Sequence, residues 1–291
     1  MFKNRSAQSD SPPICVWEWP QWLSLEAPLV AVVWLGALAK VHGLKLMPEV
    51  YAGLGLMVWG IYLVDRTLDA RRWDPEVPWT ARHAFCARYQ RGLGWVGLPL
   101  FLVVVGGLAM FRLPEFLVRH CLMVGGLVIG YLAWQILGSK TRGTDEREVP
   151  KAMAAAALFA LGVFAGVNTS EHRYPDWAFL TGQSLLTGLF AINLLGLAIV
   201  EREVVGSGVV RLLRHAYGLV GFLTAGGVFL VWLPMVEEVR PLRLLALAVL
   251  VGVAAMVMIH RNRSRLSAIA YRCWVDAVLI AAGAFLWVLG R

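Results

Sequence analysis

Charge is scarce in this chain. Asp, Glu, Lys and Arg make up 16% of its 291 residues, against about a quarter in a typical soluble domain. With 58% hydrophobic residues and a mean hydropathy of +0.64, a soluble domain of this size has too little interior for its apolar surface. Paired cysteines are missing too. Cys15, Cys86, Cys121 and Cys273 are scattered, with no CxxC pair and no histidine spacing of a zinc site. They read as small packing residues. Short alternating strands are absent, which excludes a β-barrel. The opening "MFKNRSAQSDSPPI" lacks the apolar core and small-residue cleavage site of a signal peptide.

Long charge-free runs take their place. A spanning helix needs roughly 20 apolar residues, and nine candidate spans fall near 24–43, 48–68, 93–112, 114–138, 150–168, 176–201, 208–234, 241–260 and 266–290. Lipid cannot satisfy open backbone groups, so such runs must be helical. The expected fold is an all-α polytopic bundle of about nine transmembrane helices. Residues 1–22 form a polar tail whose "VWEWPQW" suits the membrane interface, and 23–291 form the membrane domain.

Basic residues set the orientation. Counting the flanking turns, the connections after spans two, four, six and eight carry sixteen Lys and Arg; those after one, three, five and seven carry seven. The positive-inside rule makes the first set cytoplasmic, with the N-terminus inside and the C-terminus outside. An inner (plasma) membrane location is expected. The +8 net charge then lies mostly on one face, where it also attracts anionic lipid. Trp79, Phe85 and Tyr89, interleaved with Arg82, Arg88 and Arg91, suit a short amphipathic helix on that face.

That explains the arginines but not the acids among them. The stretch "GIYLVDRTLDARRWD" ends span two with Asp65 and Asp69, four residues apart on one helix face. Like charges so placed repel by a few tenths of a kcal/mol, and either neighbouring arginines (Arg66, Arg71, Arg72) or a divalent cation would compensate. Span six ends "NLLGLAIVEREVVG", giving Asn193, Glu201 and Glu203. Val64-Asp65-Arg66 and Val200-Glu201-Arg202 close spans four apart, which suggests two pseudo-repeated halves that bring both acidic clusters to one cytoplasmic cavity.

With these features the chain resembles the UbiA superfamily of intramembrane prenyltransferases. Its members carry N-D-x-x-D-x-x-x-D after helix two; here "IYLVDRTLD" matches at Asp65 and Asp69, with Ile61 and Tyr62 at the leading positions. In the second motif Glu201 matches the first acid, Val205 stands at the last, and Glu203 is an additional partial match. The resemblance implies Mg²⁺ held by Asp65, Asp69, Glu201 and Glu203, with Asp65 and Asp69 catalytic. It implies an isoprenyl diphosphate contacted by Lys140 and Arg142, with Arg66, Arg72, Asn193 and Tyr62 as further substrate contacts. The prenyl group would pass to an aromatic or other lipophilic acceptor. Membrane lipids are expected partners and nucleic acid is not. The alternative is a UbiA fold without transfer activity, serving as a lipid-binding or assembly subunit, which Ile61, Tyr62 and Val205 favour. A repeat-built transporter is a third reading.

Plainer roles stand beside these. Asn193 suits a helix–helix hydrogen bond. Asp276 has Arg272 one turn before it as the expected ion-pair partner. His83, His215 and His260, beside arginines, read as interfacial. The pieces "VVVGGLAM", "MVGGLVIGY" and "TAGGV" read as close helix contacts.

Overall fold

The computed structural model describes residues 24–71, 89, 92, 98–138, 147–170, 177–203, 209–232 and 240–290. Among the described residues there are nine longer helices and no strand. They are α1 (Glu26–Val41), α2 (Pro48–Arg71), α3 (Leu98–Phe111), α4 (Glu115–Gly138), α5 (Glu148–Ser170), α6 (Trp177–Glu203), α7 (Val209–Val231), α8 (Arg240–Arg261) and α9 (Ala268–Leu289). A 3₁₀ turn, Arg263–Arg265, joins α8 to α9. Each helix coincides with one expected apolar run.

Six of them, α4 to α9, are long and apolar enough to cross a membrane. At 1.5 Å per residue, the 16 residues of α1 and the 14 of α3 reach about 24 and 21 Å, short of a hydrocarbon layer about 30 Å thick.

The helix α6 sits at the centre, packed against α5, α7, α8 and α9. Next to it α1 packs on α2, α5, α8 and α9, while α3 leans on α2 and α4 on α5. The core between them is large and apolar: Trp34, Leu35, Leu186, Leu189, Ile192 and Leu195 are all fully enclosed. Trp34 donates its indole Nε1–H to the Leu279 carbonyl at 3.1 Å, satisfying the one polar atom such a ring brings inside. Phe190 meets Trp34 and Phe159 edge-on. Outward faces are equally apolar. Met110 and Phe111 are each 80% exposed, and Phe222 75%; surfaces of this kind suit lipid rather than water.

Close helix contact comes from glycines other than those expected. A Cβ at Gly106, Gly107, Gly125, Gly126, Gly130 or Gly226 would meet nothing within 4 Å; of the three Gly-rich pieces only Gly227 touches a neighbour, Leu185. Tight crossings lie at Gly188, where a Cβ would collide with Thr224 on α7, at Gly60 of α2 against Phe101 of α3, at Gly196 of α6 against Tyr271 of α9, and at Gly283 on α9, 2.8 Å from Val33 on α1.

Candidate functional site

A cavity of about 970 Å³ opens between α2, α3, α4, α5 and α6, with α1 and the start of α9 completing its wall. Helical periodicity builds the wall. On α2, Gly53, Met57, Ile61 and Asp65 follow at four-residue intervals beside a second row, Val50, Leu54, Val58 and Tyr62. On α6 the rows are Asn193, Leu197, Glu201 and Phe190, Leu194, Ala198, Arg202. Residues four apart share a face, so each helix turns two adjacent rows inward. The rows from α2 and α6 finish in charge, at Asp65 and at Glu201 and Arg202.

Three side-chain bonds gather those ends on one side of the molecule. Asp65 Oδ1 accepts from Gln135 Nε2 of α4 at 3.2 Å. Arg202 donates to Glu148 at the start of α5 at 2.5 Å. Arg272, near the start of α9, donates to Glu201 at 2.6 Å. Arg147, Lys151 and Asp276 line the same end. Away from it the wall is apolar: Leu54, Val58, Leu108, Leu117, Val128 and Phe159. The cavity is thus amphipathic along its length, charged at one end and oily in its body.

Asp65 and Glu201, expected to share a cavity, both line this one. Tyr62 lines it one turn below Asp65, and Ile61 stands beside it. Asn193 lines it two turns below Glu201; the helix–helix bond expected of it is absent, for its Oδ1 is buried with no hydrogen-bond partner. The backbones of Arg66 and Asp69 belong to α2, but their side chains, together with Arg72, Lys140, Arg142 and Val205, lie outside the described residues. So do residues 1–22, His83 and most of the expected amphipathic segment, of which Tyr89 and Gly92 are helical.

Glu203 goes elsewhere. Two residues beyond Glu201 it points about 200° around the helix, away from the cavity, into a separate groove shared with Arg214, Arg261 and Arg263. It accepts from Arg214 at 2.6 Å and from Arg263 Nη2 at 2.8 Å and Nε at 3.1 Å. The carboxylate holds the Arg263 pKa above its ordinary value by hydrogen bonding. Asp276 does not have Arg272 to itself, since Arg272 reaches Glu201 instead. His260 is not simply interfacial. Its ring stacks on Tyr217 at 4.6 Å, and its Nδ1 is 3.0 Å from the Tyr271 hydroxyl.

Among the described residues no three His, Cys, Asp or Glu side chains gather as a metal site. Glu201 already carries a guanidinium. Asp65 carries only a neutral amide among the described residues, and Asp69 follows it one turn on. Mg²⁺ in phosphate sites takes one or two carboxylates and completes its shell with water and substrate oxygens. Asp65 is one carboxylate of that kind, and the Asp69 side chain lies outside the described residues. Residues that sequence reasoning passed over are Gln135 and Glu148, and for Arg272 it named Asp276 as the partner where the structure has Glu201. Gln135 gives no signal in the sequence, whereas the other two stand at helix starts beside the expected loops.

Comparison with known proteins gives no match: no family model, no curated protein and no solved structure corresponds to this chain.

Proposed function

We propose that this chain is an intramembrane prenyltransferase of the UbiA kind, which moves a prenyl group from an isoprenyl diphosphate to a lipophilic acceptor. The observation that carries the reading is the amphipathic cavity, with Asp65 of α2 and Glu201 of α6 at its charged end. An isoprenyl diphosphate has the same polarity along its length: a compact polyanion joined to an oily chain. Lys151 and Arg147 at that end, with Lys140 and Arg142 of the adjoining connection, contact the phosphate oxygens. Arg66 and Arg72 would add to this positive charge, and Glu201 joins through Arg272.

Asp65 and Asp69 would hold Mg²⁺, which when bound neutralises the charge that develops on a leaving diphosphate. The chain's own residues do the rest. The apolar body aligns the prenyl tail and excludes water from the allylic centre. The Tyr62 ring, one turn below Asp65, offers a π face to developing positive charge. In this reading all nine helices cross the inner membrane as two repeated halves, the short α1 and α3 by local thinning of the bilayer, with the N-terminus and the charged end of the cavity cytoplasmic.

A second reading, a lipid-binding or assembly subunit of the same fold without transfer, is favoured by the Arg272–Glu201 ion pair, which occupies a carboxylate that a second cation would need. Pyrophosphate release separates the two. The protein in nanodiscs, given farnesyl diphosphate, Mg²⁺ and a lipid extract as acceptor source, is expected to release pyrophosphate and form a prenylated product. Binding of farnesyl diphosphate without release selects the subunit reading; neither binding nor release ends both.

A further inference from the structure

Glu203 turns out of the cavity into a separate groove of about 530 Å³, between the ends of α6 and α8 and the start of α7. Arg214, Arg261 and Arg263 line this groove with Glu203, and Val200 and Leu266 form its apolar wall. Three guanidiniums against one carboxylate leave a net charge of +2. The arginines differ in how far they are committed. A guanidinium carries five N–H donors. Arg263 uses three of them, two on Glu203 and one on the His260 carbonyl at the end of α8, 3.1 Å away. It caps its helix and fixes the carboxylate. Arg214 gives one donor to Glu203 at 2.6 Å. Arg261 makes no hydrogen bond or ion pair among the described residues. Glu203 thus holds two guanidiniums side by side, with the third beside them, and most of their donors are left for an acceptor from outside.

The surface beneath the groove says which acceptor. On α7, Gly218 and Phe222 follow Arg214 at four-residue intervals; both are exposed, and a Cβ at Gly218 would meet nothing within 4 Å. On α8, exposed Met258 lies one turn below Arg261 on the same face. The two helices pack together, so an open apolar face runs away from the arginines along both. Charge above and exposed hydrocarbon below is the order of a phospholipid, and a soluble anion has no use for the second part.

We infer that this groove binds the headgroup phosphate of an anionic phospholipid, whose acyl chains lie along the exposed faces of α7 and α8. Arg214 and Arg261 contact the phosphate oxygens, while Glu203 and Arg263 hold Arg214 in place. A zwitterionic headgroup brings its own ammonium, which a net positive groove repels, so the lipid is anionic. The site is independent of the prenyl-transfer reading, which concerns the cavity.

Native mass spectrometry of the full chain in a neutral detergent counts bound lipids one at a time. The probes are dioleoylphosphatidylglycerol and dioleoylphosphatidylcholine, which share their acyl chains. The first phosphatidylglycerol is expected to bind about tenfold tighter than phosphatidylcholine. Arg261→Gln has no partner to lose and is expected to fold unchanged; it and Arg214→Gln are each expected to weaken that first step about fivefold. Arg265→Gln removes the same charge from the neighbouring turn but outside the groove, and is expected to leave binding within about twofold. Glycerol 3-phosphate, which has the phosphate without the chains, is expected not to displace the lipid at millimolar concentration. Equal binding of the two lipids overturns the inference. So does an equal loss in Arg265→Gln, which makes the attraction a property of the whole basic face, and so does displacement by glycerol 3-phosphate, which makes the groove a site for soluble phosphate.

Discussion

Replacing Asp65 by Asn separates a structural from a catalytic carboxylate. The amide keeps an oxygen where Gln135 Nε2 now donates at 3.2 Å, so the α2–α4 link survives as a neutral hydrogen bond. Charge-assisted bonds contribute roughly 1.5–3 kcal/mol and neutral ones roughly 0.5–1.5. The difference is about 1 kcal/mol, and easier desolvation of the neutral amide offsets part of it. Asp65→Asn should therefore unfold within a few degrees of the unmodified protein. Its turnover should not survive so well. If the carboxylate helps neutralise charge developing on the diphosphate, its removal costs about 10²–10³ in kcat, the range seen when one stabilising group is taken from a transition state. The assay is pyrophosphate release from farnesyl diphosphate at saturating Mg²⁺, with thermal unfolding measured on the same preparation. Turnover kept within threefold, with normal folding, would refute a catalytic role for Asp65 and leave it as a strut between α2 and α4.

Three further outcomes follow from the geometry. Arg272→Met should leave Glu201 charged at the cavity mouth without its guanidinium. At 15% and 43% side-chain exposure the pair lies between surface and buried limits, so the cost should be about 1–3 kcal/mol, and Glu201→Gln in the same background should recover part of it in thermal unfolding. Gly188→Ala should destabilise by about 1–3 kcal/mol, because its new methyl collides with Thr224, whose Oγ1 donates to Val220 at 2.7 Å; adding Thr224→Ala should restore stability, and an unchanged melting temperature in the single variant would contradict the crossing. Single cysteines at Arg112 and Arg265, in a cysteine-free background, should label from opposite faces of the membrane, Arg265 from the cytoplasm. Labelling of both from one side would refute the nine-span topology.

The helices, and the placing of Asp65 and Glu201 in the wall of one cavity, were legible because both are written in local spacing. An unbroken apolar run forces a helix, and the four-residue rows that end in Asp65 and Glu201 declare their faces. Glu203 was not separable from Glu201 by motif, although its two-residue offset already turns it off the face; what sequence cannot give is Arg263 and Arg214 waiting there. Arg272 shows the same limit: Asp276 is its neighbour along the helix, but Glu201, 71 residues away in the chain, is the carboxylate it bonds. The glycines failed for a reason particular to membranes. Lipid-facing and helix-facing surfaces are both apolar, so a Gly–Gly pair does not reveal which it lies on, and Gly106 and Gly107 lie on the open one while Gly188, amid larger residues, makes a tight crossing.

The central claim is that the charged end of the cavity takes a diphosphate through a divalent cation. Isothermal titration of the protein in nanodiscs with a non-hydrolysable farnesyl diphosphate analogue, in Mg²⁺ and again in EDTA, tests it most directly. The account predicts saturable one-to-one binding in Mg²⁺ that weakens at least tenfold in EDTA and in Asp65→Asn. Binding of equal strength with and without the cation would contradict it.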